Sequence, residues 1–272
     1  MDFTIEKYEL LLTSLLSQEY LFVSLKEFLN LNDEDAIILR HDVDLNPENS
    51  LIFAKIQNEL NIKGSYYFRA VPESWDDAII KNIADLGHEV GYHYENMDTC
   101  NGDVDKAWDD FCYNLDKLRK LVEVKTICMH GSPRSKFDNK EIWSKYDYKS
   151  LDLIGEPYYD VDFDKVLYLT DTGRRWDGWQ TSVRDKVPQQ EEWIKQGLVF
   201  HSTQDIINAF KTGRALSVNP EPSRREVEVP NQIMFTMHPQ RWHNKPLLWF
   251  KELLMQNTKN QVKKILIRNQ KQ

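Results

Sequence analysis

Glycine is scarce in this sequence, and its scarcity helps to exclude two common classes of nucleotide-binding protein. Only 10 of the 272 residues are glycine, about half of the ~7% that is usual in proteins. Neither the G-x-G-x-x-G pattern of dinucleotide-binding folds nor the G-x-x-x-x-G-K-[ST] pattern of phosphate-binding loops occurs. We therefore do not expect an ordinary dehydrogenase or kinase.

Cysteine and long apolar runs are scarce as well. The three cysteines, Cys100, Cys112 and Cys128, show no C-x-x-C spacing, which favours reduced structural thiols. The first residues are acidic, and no stretch approaches the ~18 consecutive apolar residues of a membrane-spanning helix. We therefore expect no secretory signal, no membrane span and a cytoplasmic location.

The charge balance is acidic. The chain has 35 Lys and Arg against 43 Asp and Glu, which gives a net charge of −8. This balance argues against a general nucleic-acid-binding protein, which needs basic surface to neutralise phosphates. Hydrophobic residues make up 41% of the chain, and a chain of this length can bury a sizeable core without a disulfide. Composition therefore indicates a folded globular protein and leaves its oligomeric state open.

Short apolar runs alternate with amphipathic segments along the chain. This alternation is typical of β-α-β units with a parallel sheet, and about seven units without a linker favour a closed or nearly closed barrel. The predicted fold class is α/β, an irregular (β/α)7-type TIM-like barrel that forms a single domain over 1–272. It has a helical cap over 1–35 and a closing helix over 246–272. The predicted strands are 36–39, 65–68, 89–92, 126–129, 166–169, 198–200 and 233–237.

Five of the seven histidines lie at the carboxyl end of a predicted strand. The carboxyl ends of the strands in an α/β barrel converge on one face, so these histidines are expected to meet there. Neutral imidazole is both a metal ligand and a base whose pKa lies near 7. The pattern therefore predicts a metal-binding or proton-transferring site. The five are His41, His93, His130, His201 and His238.

Acidic residues accompany these histidines. Asp42 and Asp44 follow the first predicted strand, and in an extended chain they point to one side while His41 points to the other. One carboxylate as metal ligand and one as general base is an economical arrangement. The alternative is a helix cap, although Asn46 before a proline can begin the helix without either aspartate. Glu95, two residues past His93, shares its side and is a candidate ligand.

Three motifs resemble those of the polysaccharide deacetylases, the NodB-homology family of carbohydrate esterases (family 4). They are ILRHDVDLNP, GHEVGYH and IMFTMHP, and the resemblance extends from about residue 36 to residue 242. It implies a hydrolase that removes N- or O-acetyl groups from a carbohydrate and depends on a divalent metal, for which zinc is the first choice. It implies Asp42 as the catalytic base, Asp44 and His93 as metal ligands, and His238 as the acid that protonates the leaving group.

The loop TDTGRRW adds further candidates. In the scheme that the resemblance implies, Arg174 or Arg175 helps the metal to stabilise the oxyanion, although paired arginines also commonly form salt bridges. Asp171 and Trp176 would line the substrate site with His130. Trp176 and Trp179 are equally suited to stacking on a sugar ring and to packing in the core.

The sequence also departs from the family pattern. Val43 separates the two aspartates that the family has adjacent, and Met97 stands where the family has its second ligand histidine. His130 lies roughly where the family has an Arg-x-Pro-Tyr stretch. The third metal ligand is therefore open between Glu95, His130 and Asp42, with Glu95 the first choice. Two alternatives follow, a catalytically inactive barrel that binds a glycan and a hydrolase of another amide or ester on the same fold.

Overall fold

The chain divides by its internal contacts into two units. Unit 1 comprises Met1–Phe22, Asp33–Ile37 and Asp162–Gln272, and unit 2 comprises Val23–Asn32 and Ile38–Val161. This computed structural model describes residues 1–18, 20–31, 35–132, 135–178, 182, 186–212, 214–216 and 226–270. The single domain over 1–272 stays a prediction.

Strands and helices alternate along most of the chain. The strands are β1 (Leu21–Val23), β2 (Ala36–Val43), β3 (Ser65–Phe68), β4 (Glu89–Tyr94), β5 (Ile127–Met129), β6 (Val166–Thr170), β7 (Arg214–Leu216), β8 (Glu226–Glu228) and β9 (Gln232–Met237). The α-helices are α1 (Ile5–Leu16), α2 (Leu25–Phe28), α3 (Pro47–Glu59), α4 (Asp77–Asp85), α5 (Asn96–Thr99), α6 (Val104–Arg119), α7 (Pro157–Asp160), α8 (Gln190–Lys195), α9 (Thr203–Thr212) and α10 (Pro246–Gln270). Short 3-10 helices cover Asn139–Ser144, Tyr148–Leu151 and Pro239–Arg241.

Unit 2 contains a parallel sheet in the order β5-β4-β3-β2. The register places Asp42 beside Tyr67, Tyr67 beside Gly91, and His93 beside Cys128. Because side chains alternate between the two faces of a strand, residues in register project to the same face. One face of this sheet therefore carries polar and charged side chains from all four strands.

The other face of the unit 2 sheet packs as an apolar and aromatic core. His41 lies on this face, where its ring stacks on Tyr66 at 4.2 Å between ring centroids. Its Nδ1 lies 3.1 Å from the Ser65 carbonyl, and its Nε2 lies 3.0 Å from the Gln57 amide nitrogen. His41 is thus a hydrogen-bonded core residue. It faces away from Asp42 because β2 continues past it to Val43 and side chains alternate between the two faces of a strand.

Gly91 marks a close approach between neighbouring strands. A Cβ at this position would lie 2.3 Å from the ring of Tyr67 and 2.7 Å from the carbonyl oxygen of Thr126. We expect Gly91→Ala to lower the free energy of unfolding by about 1–3 kcal/mol, as overpacking does in cores. Urea unfolding monitored by circular dichroism measures this loss. Gly64→Ala is the matched control with a smaller expected loss, because its Cβ would meet other atoms only at 3.0 Å or more. Equal effects of the two variants would contradict the packing argument.

Unit 1 contains the parallel pair β6-β9 and the antiparallel pair β7-β8. Its core is aromatic, and Trp242 makes edge contacts to Phe3 and Tyr8 with ring centroids 5.1 and 5.8 Å apart. Trp176 belongs to this cluster, is 4% exposed, and donates through Nε1 to Thr203 Oγ1 at 2.9 Å. The ring of Trp176, predicted to bind substrate, is therefore packed in the core of unit 1, and its indole nitrogen is hydrogen-bonded.

The predicted α/β class, with parallel strands separated by helices as in a (β/α)-type barrel, is confirmed. Two details differ. Residues 198–200, predicted as a strand, bury Leu198 and Phe200 but form no regular strand in the described chain, because so short an apolar run fits a buried loop equally well. The segment 1–35, predicted as a helical cap, also contains β1. No described helix is both long and apolar enough to cross a membrane.

Candidate metal centre

Three side chains from three elements of unit 2 converge on the polar face of its sheet. Asp44 follows β2, His93 lies in β4, and His130 follows β5. Asp44 Oδ1 lies 3.7 Å from His93 Nε2 and 3.6 Å from His130 Nε2, and the three atoms all lie within 4.8 Å of one another. Ligand atoms around a four-coordinate zinc lie about 3.3 Å apart, given zinc–nitrogen distances of ~2.0–2.1 Å. A small closure of these side chains would therefore produce three ligands of a zinc site.

The environment of His93 prepares it to be a ligand. The side chain is 1% exposed, and its Nδ1 lies 2.9 Å from the carbonyl oxygen of Cys128, to which it donates in the Nδ1–H tautomer. That tautomer directs the Nε2 lone pair toward Asp44. Burial, opposed by Asp42 and Asp44, lowers the pKa of His93 to about 4. His93 is therefore neutral at physiological pH, which is the state that binds a metal.

His130 has a carboxylate behind it. Its Nδ1 lies 3.0 Å from Glu95 Oε2, so that Glu95 orients the ring while Nε2 faces Asp44. Arg69 binds Glu95 with both arms, from Nε to Oε1 at 3.0 Å and from Nη2 to Oε2 at 2.8 Å. Burial opposes the ionisation of Glu95, but the contacts with His130 and Arg69 outweigh it and lower the pKa of Glu95 to about 2.

These contacts place Glu95, predicted as the third metal ligand, behind the donors and not among them. Glu95 lies behind His130, with its oxygens facing Arg69 and His130, and it does not belong to either donor group found among the described residues. His130, predicted to bind substrate and also weighed as the third ligand, is instead grouped with Asp44 and His93. A carboxylate that orients a ligand histidine is a recurring arrangement at metal sites.

Replacing Glu95 tests its positioning role. We expect Glu95→Gln to weaken metal binding by about 10–100-fold, because the amide orients His130 less strongly than the carboxylate does. Competition with a chromophoric chelator measures the affinity. Glu123→Gln is the matched control, since Glu123 pairs with Lys26 at the surface. An unchanged affinity in Glu95→Gln would mean that the carboxylate has no part in holding the ligand histidine.

Asp42 lies next to the three donors and is held by an arginine from its own strand. Arg40 donates from Nε to Oδ1 at 2.8 Å and from Nη2 to Oδ2 at 2.7 Å. Both side chains are almost fully buried, at 2% and 4% exposure, and Asp42 Oδ2 lies 3.7 Å from His93 Nε2. A bidentate arginine favours the ionised carboxylate. Asp42 is thus a fixed anion beside the candidate metal position.

The five histidines do not all meet. His93 and His130 do, with ring centroids 5.1 Å apart. His41 is in the core, as described above, and His201 is exposed in unit 1, where its Nδ1 lies 2.9 Å from Asp177 Oδ2. Of the predicted strand ends, the one before His201 does not exist as a strand, and β2 continues beyond His41. Fewer histidines therefore come together than the sequence predicts.

His238 and Asp171 form a buried pair in unit 1. Asp171 Oδ1 lies 2.6 Å from His238 Nδ1, and Oδ2 accepts from the His238 amide at 3.0 Å and from Trp242 Nε1 at 2.7 Å. Arg241 Nη1 also lies 3.1 Å from Oδ1. Asp171, predicted to line the substrate site, instead fixes the ring of the predicted acid. Such a carboxylate sets the tautomer of a histidine and stabilises its protonated form.

The two arginines predicted to stabilise an oxyanion are engaged elsewhere in unit 1. Arg174 is 5% exposed, lies 4.3 Å from the ring centroid of Trp249 and donates to the Trp249 carbonyl. Arg175 binds both carboxylate oxygens of Asp177. Arg174 is therefore packed in the core of unit 1, and Arg175 forms a surface ion pair. Trp179 lies outside the described residues.

Sequence reasoning missed three side chains of the polar face. Arg40, Arg69 and Cys128 each share it with a predicted site residue, and the strand period of two was the available signal. Arg40 and Cys128 stand two residues before Asp42 and His130, so each projects to the same side as the residue already singled out. Arg69 required the register, which places β3 between β2 and β4.

No protein-family model and no curated protein matches this chain. Among solved structures, the chain is similar to a pseudoenzyme of carbohydrate esterase family 4 from Bacillus anthracis, with 13% identity and a TM-score of 0.44 over 84% of this chain and 61% of the other. PdaA, a family 4 carbohydrate esterase of Bacillus subtilis, is similar at 12% identity and a TM-score of 0.37 over 91% and 83%.

A further family 4 carbohydrate esterase, from Bacillus anthracis, is similar at 12% identity and a TM-score of 0.39 over 75% of this chain and 86% of the other. The chain spans only 61–63% of the length of the pseudoenzyme chains that it matches. These similar structures carry the name of the family that the three sequence motifs resemble, and they include both esterases and pseudoenzymes.

Proposed function

We propose that this protein is a metal-dependent hydrolase that removes N- or O-acetyl groups from a carbohydrate. The observation that carries the proposal is the convergence of Asp44, His93 and His130 beside the buried carboxylate of Asp42. Three nitrogen and oxygen donors with a neighbouring base are the components of a hydrolytic metal site. The motifs that resemble the polysaccharide deacetylases supply the substrate class.

Asp44, His93 and His130 would hold the metal, and the donor set fits a zinc ion. Two imidazoles and one carboxylate are typical zinc ligands. The Nδ1 atoms of the two imidazoles face the Cys128 carbonyl and the Glu95 carboxylate, which leaves Nε2 as the ligand atom. When bound, such a metal lowers the pKa of a water toward ~7 and polarises a carbonyl group. The side chains of Asp44 and His130 are 18% and 16% exposed, so a solute can reach this donor set.

Asp42 is proposed as the general base. Arg40 holds it ionised and fixes its orientation, so that it can accept the proton of an attacking water without first moving. His238, oriented by Asp171, is proposed to protonate the leaving group. Asp42 belongs to unit 2 and His238 to unit 1. Asp42→Asn tests the role of the base, and His238→Gln tests the role of the acid.

Metal content and acetate release test the proposed function together. We expect the protein, purified without added metal, to contain about one zinc or similar divalent ion per chain by elemental analysis. We also expect it to release acetate from N- or O-acetylated sugars, and Asp44→Ala to lose acetate release. Asp116→Ala, an exposed aspartate on α6, is the matched control. A wild-type protein that binds no metal and releases no acetate would overturn the proposal.

A second candidate function is an inactive barrel that binds a glycan. Met97 favours it, because this residue stands where the family has a ligand histidine and is buried in α5 at 1% exposure. Glycan binding without acetate release, unchanged in Asp44→Ala, would identify this function.

A further inference from the structure

A second donor group lies deeper on the same face of the unit 2 sheet. Asp42, His93 and Cys128 are all buried, and one ligand atom of each lies within 4.8 Å of the other two. We propose that these three residues form an inner site for a soft, thiophilic cation, separate from the outer group of Asp44, His93 and His130. The inner site does not depend on the proposed hydrolysis, because it can be tested without a substrate.

The sheet register accounts for the position of the thiol. Cys128 in β5 lies directly beside His93 in β4, and side chains in register on parallel neighbours project to the same face. Asp42 reaches this face from β2, and its Oδ2 lies 3.7 Å from His93 Nε2. The inner group therefore results from three strands of one sheet, whereas Cys100 and Cys112 lie in the region of α5 and α6.

The ligand types select the class of cation. Thiolate sulfur is a soft ligand that favours zinc, copper(I) and similar ions, whereas magnesium and calcium require oxygen ligands. On binding, the Cys128 thiol releases its proton to solvent and a sulfur–cation bond forms. A carboxylate oxygen has two lone pairs, so Asp42 Oδ2 can accept from Arg40 and still contact a cation.

The charges around the inner group also favour a soft cation over a hard one. Arg40 already compensates the charge of Asp42, so the thiolate contributes the remaining negative charge of the inner group. Binding there depends mainly on the sulfur–cation bond, which hard ions do not form. A soft cation such as Cd2+ or Cu+ is therefore expected to occupy the inner group, and Mg2+ is not.

The two donor groups share His93, which makes them mutually exclusive. The Nδ1 atom of His93 faces the carbonyl oxygen of Cys128 at 2.9 Å, so only Nε2 serves as a ligand atom. One imidazole nitrogen binds one cation at a time. A soft cation in the inner group would therefore remove His93 from the outer group and engage Asp42 as well.

Cadmium binding to a protein with one thiol tests the inner site. The parent is the double variant Cys100→Ser, Cys112→Ser, which keeps Cys128 as its only cysteine, and the probe is Cd2+ alone, added without reductant. We expect a cadmium–thiolate charge-transfer absorption in the ultraviolet that saturates at about one equivalent, as one ligand set binds one ion. Adding Cys128→Ser to the parent should abolish this absorption, and so should His93→Ala.

A variant of the outer group separates the two sites. His130→Ala in the same parent removes only an outer ligand, so the absorption should persist, even if no hydrolytic activity exists in any variant. Circular dichroism and the melting temperature check that each variant folds, and Cys128→Ala replaces Cys128→Ser if the serine variant does not. Cd2+ that binds the parent without a thiolate absorption, or an absorption that His130→Ala abolishes, would overturn the inner site.

Discussion

An Asp42→Asn variant is expected to lose about 10²–10⁴-fold in kcat, the usual contribution of a general base, and to keep the metal content of the wild type. The amide has nearly the shape of the carboxylate but cannot accept the proton of the attacking water at neutral pH. Asp42 is not among the three outer donors, which is why metal binding should survive. Acetate release under saturating substrate, together with elemental analysis, measures both properties.

The ion pair with Arg40 is the confounding factor in this experiment. Both partners are buried, and removing one charge of a buried pair typically costs about 3–5 kcal/mol of stability. Pairing Asp42→Asn with Arg40→Leu removes both charges, which is often close to neutral for stability. The double variant should therefore regain stability without regaining activity. Recovery of activity in the double variant would show that Asp42 acts through folding and not as the base.

The position of the site could be predicted from the sequence because strand alternation is a local property. The run from His41 to Asp44 is enough to place both aspartates on one side and the histidine on the other, and β2 has this arrangement. The same reasoning places Glu95 and His93 on one face. The helix-start pattern of Asn46 before a proline predicts that α3 begins without help from Asp44, and Asn46 is indeed the N-cap residue.

The identity of the third ligand could not be predicted, because it depends on contacts between strands. Glu95 and His130 are both two-residue neighbours of polar-face positions, and the sequence does not reveal which of them faces Asp44. Arg69 binds both oxygens of Glu95 and holds this carboxylate behind His130, whose Nε2 faces Asp44. A residue on a third strand thus converts the predicted ligand into a support for its neighbour.

The loop that carries Arg174 and Trp176 was harder to interpret for another reason. Outside strands and helices there is no period from which burial can be inferred, and arginine and tryptophan both occur in cores and at binding sites. In unit 1 both side chains are buried, Arg174 against Trp249 and Trp176 against Thr203. The motif resemblance covered the loop but did not carry information on its packing.

Removing His93 is expected to abolish metal binding, because both donor groups found among the described residues of unit 2 contain this residue. A metal present at 100 times its Kd stabilises a protein by about 2.7 kcal/mol, and each kcal/mol raises Tm by about 2–4 °C in a chain of 150–250 residues. The wild-type protein should thus gain roughly 5–10 °C on zinc addition. His93→Ala should gain nothing, measured by differential scanning fluorimetry with and without zinc.

The comparison uses the change in Tm on zinc addition, and not Tm itself, because truncating a buried side chain destabilises the protein with or without metal. His201→Ala is the matched control, since His201 is an exposed histidine paired with Asp177 and can bind zinc only adventitiously. It should retain the full zinc-dependent gain. If His93→Ala responded to zinc as strongly as the wild type, neither donor group of unit 2 would be a metal site, and the proposed hydrolysis would lose its physical basis.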